Sequence, residues 1–232
     1  MRRKLACVAA AAALFLDGGQ PAFAATAEPA AAEYVIRWNT RDGGPASLNG
    51  VLAIMRSRAT RDRTFKVDYY DLPPALAAPP GYSVILRRRI EEGGAAELTW
   101  KLRGDAVLAE WICPLRNAKE SKAEVDVTLQ GLDALARSFS YSCTSDGPDA
   151  AAAELSATLK ACTATMTRKV AGPLKLEEWR FPGDVVIIDV SLSSLNNPDA
   201  LELFRNRIAK PLLAAGVVPL SESKSDLGGH CK

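Results

Sequence analysis

Histidine is almost missing from this sequence: His230 is the only one, and it sits beside Cys231 close to the end of the chain. Ser-His-Asp and Cys-His nucleophilic catalysis are thereby excluded, since both need an imidazole held firmly against the nucleophile. No CxxC spacing occurs among the five cysteines, so a thiolate metal site lacks its usual framework. A charge excess is missing as well. The chain carries 29 Lys and Arg against 27 Asp and Glu, and without residues 1–24, which hold Arg2, Arg3, Lys4 and Asp17, the balance is 26 of each. Nonspecific attraction to nucleic acid or to an anionic membrane surface depends on positive excess, so neither partner is expected. Long apolar runs are lacking too. The stretch from Leu5 to Leu16 is too short to span a bilayer as a stable helix.

That short apolar run follows the basic Arg2-Arg3-Lys4 and precedes Ala22-Phe23-Ala24, the pattern of an export signal cleaved after Ala24. Cys7 opens the run instead of closing it, so no lipid anchor is expected. The expected product is periplasmic or secreted, with a linker at 25–32, one domain at 33–220 and a flexible tail at 221–232. About 208 residues is enough for a sizeable core. Cys113, Cys143, Cys162 and Cys231 remain, and in an oxidising compartment four cysteines allow three disulfide pairings. The pairing of Cys143 with Cys162, which brackets an Ala-rich segment, is the expected one, and it leaves Cys113 for the tail.

Period-two alternation predicts strands at 33–39, 65–72, 82–91, 97–103, 108–115, 122–129, 163–170, 174–181 and 185–192. Helical spacing predicts helices at about 46–58, 149–161 and 198–215. Short Gly-containing connections favour antiparallel hairpins. Within the strands, charged residues recur on one face: Glu33 with Arg37, Arg87 with Arg89, Lys101 with Arg103, and Glu124 with Asp126. Arg168 and Asp189 continue the pattern. Val84, Leu86, Trp100, Leu102, Val125 and Val127 occupy the opposite face. Alternation also splits Arg87-Arg88-Arg89 between two faces, which argues against a basic stripe for nucleic acid. Two arrangements account for such strands. One is a layered sheet with a wet face, and the other is a barrel with a charged interior.

The stretch Val67-Asp68-Tyr69-Tyr70-Asp71-Leu72-Pro73, followed by Gly81 to Arg88 and by Leu98-Thr99-Trp100-Lys101, resembles the CYTH or triphosphate tunnel metalloenzyme superfamily. The likeness continues through 122–127, Arg168 and 187–190. It implies an α+β fold, an antiparallel eight-stranded β-barrel forming a tunnel with flanking helices. It also implies hydrolysis of triphosphates or polyphosphate with Mg²⁺ or Mn²⁺, or in some members synthesis of cyclic AMP. On that resemblance Glu33, Glu124 and Asp126 would hold the metal with Asp189 as a further acidic wall residue. Arg37, Arg87, Lys101 and Arg168 would hold phosphate oxygens. Carboxylates suit hard cations and guanidinium groups fork onto phosphate. The family pattern Glu-x-Glu-x-Lys reads Glu33-Tyr34-Val35-Ile36-Arg37 here, and the first arginine of the Leu-Arg-Leu-Arg strand is Ile85. The reading expected from these residues is a tunnel protein that binds a phosphate-rich small molecule or polyphosphate, with degenerate catalysis. The alternatives are a metal-dependent tripolyphosphate or organic triphosphate phosphohydrolase, and a secreted structural or interaction protein.

Overall fold

The computed structural model describes residues 27–72, 78–115, 118–146, 157–223, 226 and 228. The expected signal peptide and the first part of the linker lie outside these residues. Nine strands form a closed barrel: β1 (Ala31–Asn39), β2 (Arg61–Asp71), β3 (Tyr82–Glu91), β4 (Ala96–Gly104), β5 (Glu120–Leu129), β6 (Leu135–Asp146), β7 (Thr158–Ala171), β8 (Leu174–Phe181) and β9 (Val185–Leu195). Around the ring they run β1-β5-β6-β4-β3-β2-β7-β8-β9. The β1–β5 contact is parallel and every other contact is antiparallel. The expected eight-stranded, wholly antiparallel barrel is therefore corrected to nine mixed strands. Parity explains the mixture: each antiparallel contact reverses direction, so an odd ring cannot close without a parallel pair.

One of the nine predicted strand segments is not a strand, and one strand of the ring was not predicted. Residues 108–115 form no strand. They run as a strap over the outer face of β4 and β6, where the Leu108 N–H donates to the Tyr141 hydroxyl at 2.7 Å. Trp111 stacks on Trp100 there, with ring centroids 6.2 Å apart. The strap's apolar residues thus pack on the barrel without joining a ladder. The ninth place in the ring belongs to β6, absent from the predicted strands, whose Ser138, Ser140, Ser142 and Thr144 alternate with Phe139, Tyr141 and Cys143. Of the helix expected at 149–161, residues 149–156 lie outside the described residues, and Thr158 onward is strand. Pairing of Leu159 with Tyr70 and Thr158 with Asp71 on β2 overrides the helical preference of the Ala-rich sequence.

The barrel is polar inside over much of its circumference and apolar outside. Tyr34, Ile36 and Trp38 of β1 point outward into a core shared with Val125, Val127, Leu176, Ile188 and Val190. Two helical segments cover that core. α1 (Leu48–Ile54), shorter than the expected 46–58, starts where the Ser47 hydroxyl accepts from the Gly50 N–H at 3.2 Å. α2 (Pro198–Phe204) starts at Asn197, whose side chain accepts from the Ala200 N–H at 2.8 Å, with Pro198 in the first turn. It continues through a π-helical turn (Arg205–Ala209) into α3 (Lys210–Ala214). Pro211 has no N–H to return to the preceding turn, which accounts for the widened turn before it. Phe204, Ile208 and Leu212 form the buried stripe that helical spacing predicts. A second apolar cluster fills part of the barrel's interior: Val67, Tyr69, Cys162, Ala164, Met166, Trp179 and Ile187, from β2, β7, β8 and β9.

Cys143 is bonded to Cys113, which corrects the expected Cys143–Cys162 pairing. Cys143 points outward from β6 and Cys162 is buried with the interior cluster, so the sheet itself separates them. Cys162 is also disulfide-bonded. Among the described residues no helix is long and apolar enough to cross a membrane. The disulfide is compatible with an oxidising, extracytoplasmic compartment. Cys113 and Cys143 are 30 positions apart, and closing a loop of that length constrains the unfolded chain by roughly 3–4 kcal/mol. Replacing both by Ala is expected to lower the urea-unfolding free energy by about that amount. A change within about 0.5 kcal/mol would show that the strap is held by its Trp stacking alone.

Candidate functional site: a charged tunnel

A cavity of about 320 Å³ lies inside the barrel, walled on all sides by strands. Its lining includes eight cationic residues (Arg37, Arg87, Arg89, Lys101, Arg103, Lys122, Arg168 and Lys175) and six acidic ones (Glu33, Glu97, Glu120, Glu124, Asp126 and Glu177). The interior therefore carries a small positive excess that residues 25–232, with 26 charges of each sign, do not. Of the residues singled out in the sequence, Glu33, Arg37, Arg87, Lys101, Glu124, Asp126 and Arg168 come together on this cavity, as does Val35. Asp189 is not among the lining residues. It is fully buried on the inward side of β9, where its Oδ2 accepts from Arg37 Nε at 3.1 Å. Lys122 and Glu97 were not singled out, although each shares strand parity with a residue that was, and Lys175 and Glu177 lie on β8, where no site residue was expected.

On one wall, Glu124 and Asp126 are two apart on β5 and so share a face, and the parallel register sets Glu33 beside Asp126. One carboxylate oxygen from each of the three lies within 4.8 Å of the others, and this group could bind a metal ion. The oxygens are hard donors of the kind that divalent cations take. Each acid is also met by a cation of the chain. Lys101 Nζ lies 3.2 Å from Asp126 and 3.7 Å from Glu124, and Arg103 Nε is 2.8 Å from Asp126. Lys122 Nζ is 2.9 Å from Glu124 and Lys175 Nζ is 3.8 Å from Glu33. Hydroxyls complete the wall: Ser140 donates to Asp126 at 3.2 Å and Ser191 to Glu33 at 3.0 Å.

On another wall stand three arginines. Arg168 donates to Glu177 Oε1 from Nε at 2.8 Å, while Trp179 Nε1 donates to Oε2 of the same carboxylate at 3.0 Å. The Arg168 guanidinium also lies over the Phe65 ring at 5.4 Å. Arg89 Nε donates to Glu97 at 3.1 Å. Arg87, between them, has no hydrogen-bond or ion-pair partner among the described residues. Desolvation, then the neighbouring Arg89 and Arg168 charges, push its pKa below the usual guanidinium value. A cation with no direct ion pair, sharing the charge of Glu177 with Arg168 and standing beside two other arginines, makes a ready anion site.

Past the expected domain end at 220, the chain keeps contact with the barrel. The Leu220 N–H donates to the Arg37 carbonyl at 2.8 Å, and Arg37 Nη1 donates to the Glu222 carbonyl at 2.9 Å. Gly228 lies so close to the Tyr69 ring that a Cβ would fall 2.3 Å from it. Any larger residue at 228 would have to move the segment away from β2.

Burial would raise Asp126, but Lys101 and Arg103 hold it far below the usual carboxylate range, and Arg89 does the same, less strongly, for Glu97. A carboxyl depressed in the folded state contributes stability above its unfolded pKa, near 4, and that contribution is lost as the pH falls towards the folded value. Urea midpoints should therefore drop on acidification below about pH 4, and Asp126→Asn should flatten that drop while lowering the midpoint at neutral pH. An equally steep acid limb in the variant would rule Asp126 out as a contributor.

No family model matches the chain, and no curated protein matches it. Solved structures show slight likeness, among them the following three. The PH1819 protein of Pyrococcus horikoshii OT3 has a TM-score of 0.49 at 12% identity, covering 84% of this chain and 97% of its own. A conserved hypothetical protein of Pyrococcus furiosus has 0.47 at 16%, covering 84% and 99%. A Vibrio parahaemolyticus protein described as a candidate adenylate cyclase has 0.48 at 12%, covering 84% and 96%. At this level none of them transfers a family or an activity to this chain. The closed barrel itself is consistent with the tunnel fold that the sequence resemblance implies.

Proposed function

We propose that this chain is a tunnel protein that binds a phosphate-rich anion, with Arg87 as the principal contact and Arg89 and Arg168 beside it. The supporting observation is the Arg87 guanidinium, unpaired among the described residues inside an enclosed polar cavity. An unpaired guanidinium is costly to the fold unless a ligand supplies the missing charge, and its planar fork matches phosphate oxygens. A volume of about 320 Å³ is at the small end for ligand pockets and suits a compact anion or the end of a polyphosphate chain. Calorimetric titration of the purified protein with tripolyphosphate in chelator is expected to show one-to-one binding that weakens as salt is added. If neither tripolyphosphate nor longer polyphosphate releases heat or raises the melting temperature, the anion reading falls, and a structural or interaction protein is left.

A second reading, metal-dependent phosphohydrolysis, is favoured by the spacing of Glu33, Glu124 and Asp126. Those three would hold a Mg²⁺ or Mn²⁺ ion, which when bound supplies Lewis-acid polarisation of a phosphoryl oxygen. The arginine wall would orient the anion and offset its charge. Release of phosphate from tripolyphosphate, pyrophosphate or nucleotides with either metal is the measurement that separates the two readings.

A further inference from the structure

We propose that the acidic wall of the tunnel is closed to divalent cations by the chain's own cations, and that Lys101 is the residue that closes it. Its ammonium lies against two of the three carboxylates at once, 3.2 Å from Asp126 and 3.7 Å from Glu124. That is the bridging position a metal ion shared by these acids would need. Arg103 takes the same Asp126 oxygen as Lys101, and Ser140 takes the other, so both oxygens of this carboxylate are engaged. Lys122 holds the second oxygen of Glu124.

Charge counting points the same way. Three carboxylates face four cations, Lys101, Arg103, Lys122 and Lys175, with Asp226 also acting on Arg103, so a divalent ion would enter a neighbourhood whose acids are already offset. The neighbouring inward position of β1 adds no acid to the group, because it holds Val35, buried and lining the same cavity. The neighbours of Lys101 along the inward face of β4 are Thr99 and Arg103, neither of which carries a negative charge, so the acids that hold it are those of the wall. The carboxylates therefore act as fixed counter-charges that aim four cations at the cavity, and anion binding needs no metal.

This inference concerns the cation side of the tunnel and is tested without any anion. Mn²⁺ binding would be followed by loss of the free-ion paramagnetic resonance signal and by calorimetry, for the native protein, Lys101→Met, and Lys101→Met with Asp126→Asn. The native protein is expected to bind Mn²⁺ at least about tenfold more weakly than Lys101→Met, and the added Asp126→Asn to remove the gain. If Lys101→Met does not fold alone, Mn²⁺ present during refolding should restore its native circular dichroism, because the ion replaces the lost charge. Stoichiometric depletion of Mn²⁺ by the native protein overturns the inference. So does a folded Lys101→Met with no gain in affinity, or an unfolded one that Mn²⁺ does not rescue.

Discussion

Asp189→Asn is expected to destabilise the protein by about 3–5 kcal/mol, a large share of the roughly 5–15 kcal/mol that holds a domain of this kind together. The Asp189 carboxylate is fully buried and Arg37 is 5% exposed, so neither side chain can exchange its partner for water. Neutralising the acid leaves a guanidinium in the barrel wall with a desolvation cost and no opposing charge. Arg37 is also tied to the Glu222 carbonyl, so the loss should extend to the segment after Val217. The check is a urea titration with the slope compared between variants, since a shift in midpoint at constant slope isolates stability. Replacing both partners by apolar residues, Arg37→Met with Asp189→Leu, should recover most of the loss, because a well-packed apolar pair avoids the desolvation of two ions. A single variant within about 1 kcal/mol of native would mean that water reaches the pair after all.

Arg87→Met should act on stability and on binding in opposite directions. Removing a guanidinium that has no partner among the described residues and stands beside Arg89 and Arg168 relieves both desolvation and like-charge repulsion, so the melting temperature is expected to rise. Affinity for tripolyphosphate should fall by roughly 10- to 100-fold, the equivalent of one or two charge-assisted hydrogen bonds. Arg168→Met is the contrast. It should lower both quantities, because Glu177 then loses the guanidinium it accepts from and stays buried beside Trp179. An Arg87→Met protein that binds tripolyphosphate as the native one does would remove the central contact from the proposed site.

How far these features can be read in advance depends on the element. β3 and β8 match the predicted segments at both ends, because turn residues stop them: Gly81 and Gly93 flank the first, and Gly172 and Gly183 the second, each with positive φ. β6 escaped because its inward positions are Ser and Thr, so the alternation that marks it is one of small polar against aromatic, without the charges that marked its neighbours. The strap at 108–115 was misread for the converse reason: a run of apolar residues can lie flat on a barrel without entering its ladder. Asp189 has the right parity to face the cavity, yet its neighbour across the β1–β9 pair is Arg37, and the two neutralise each other within the wall.

The sequence by itself determined which side chains turn inward, because alternation is a local property of an extended backbone and holds wherever a strand forms. It could not determine who meets whom. The trio of Glu33, Glu124 and Asp126 exists because β1 and β5 supply the parallel contact that a nine-membered ring requires, and Arg87 has no direct ion pair because Glu97 reaches Arg89 and Glu177 reaches Arg168. Glu33 stands some ninety positions before its two partners in the trio. Only the closure of the barrel sets the distances between them.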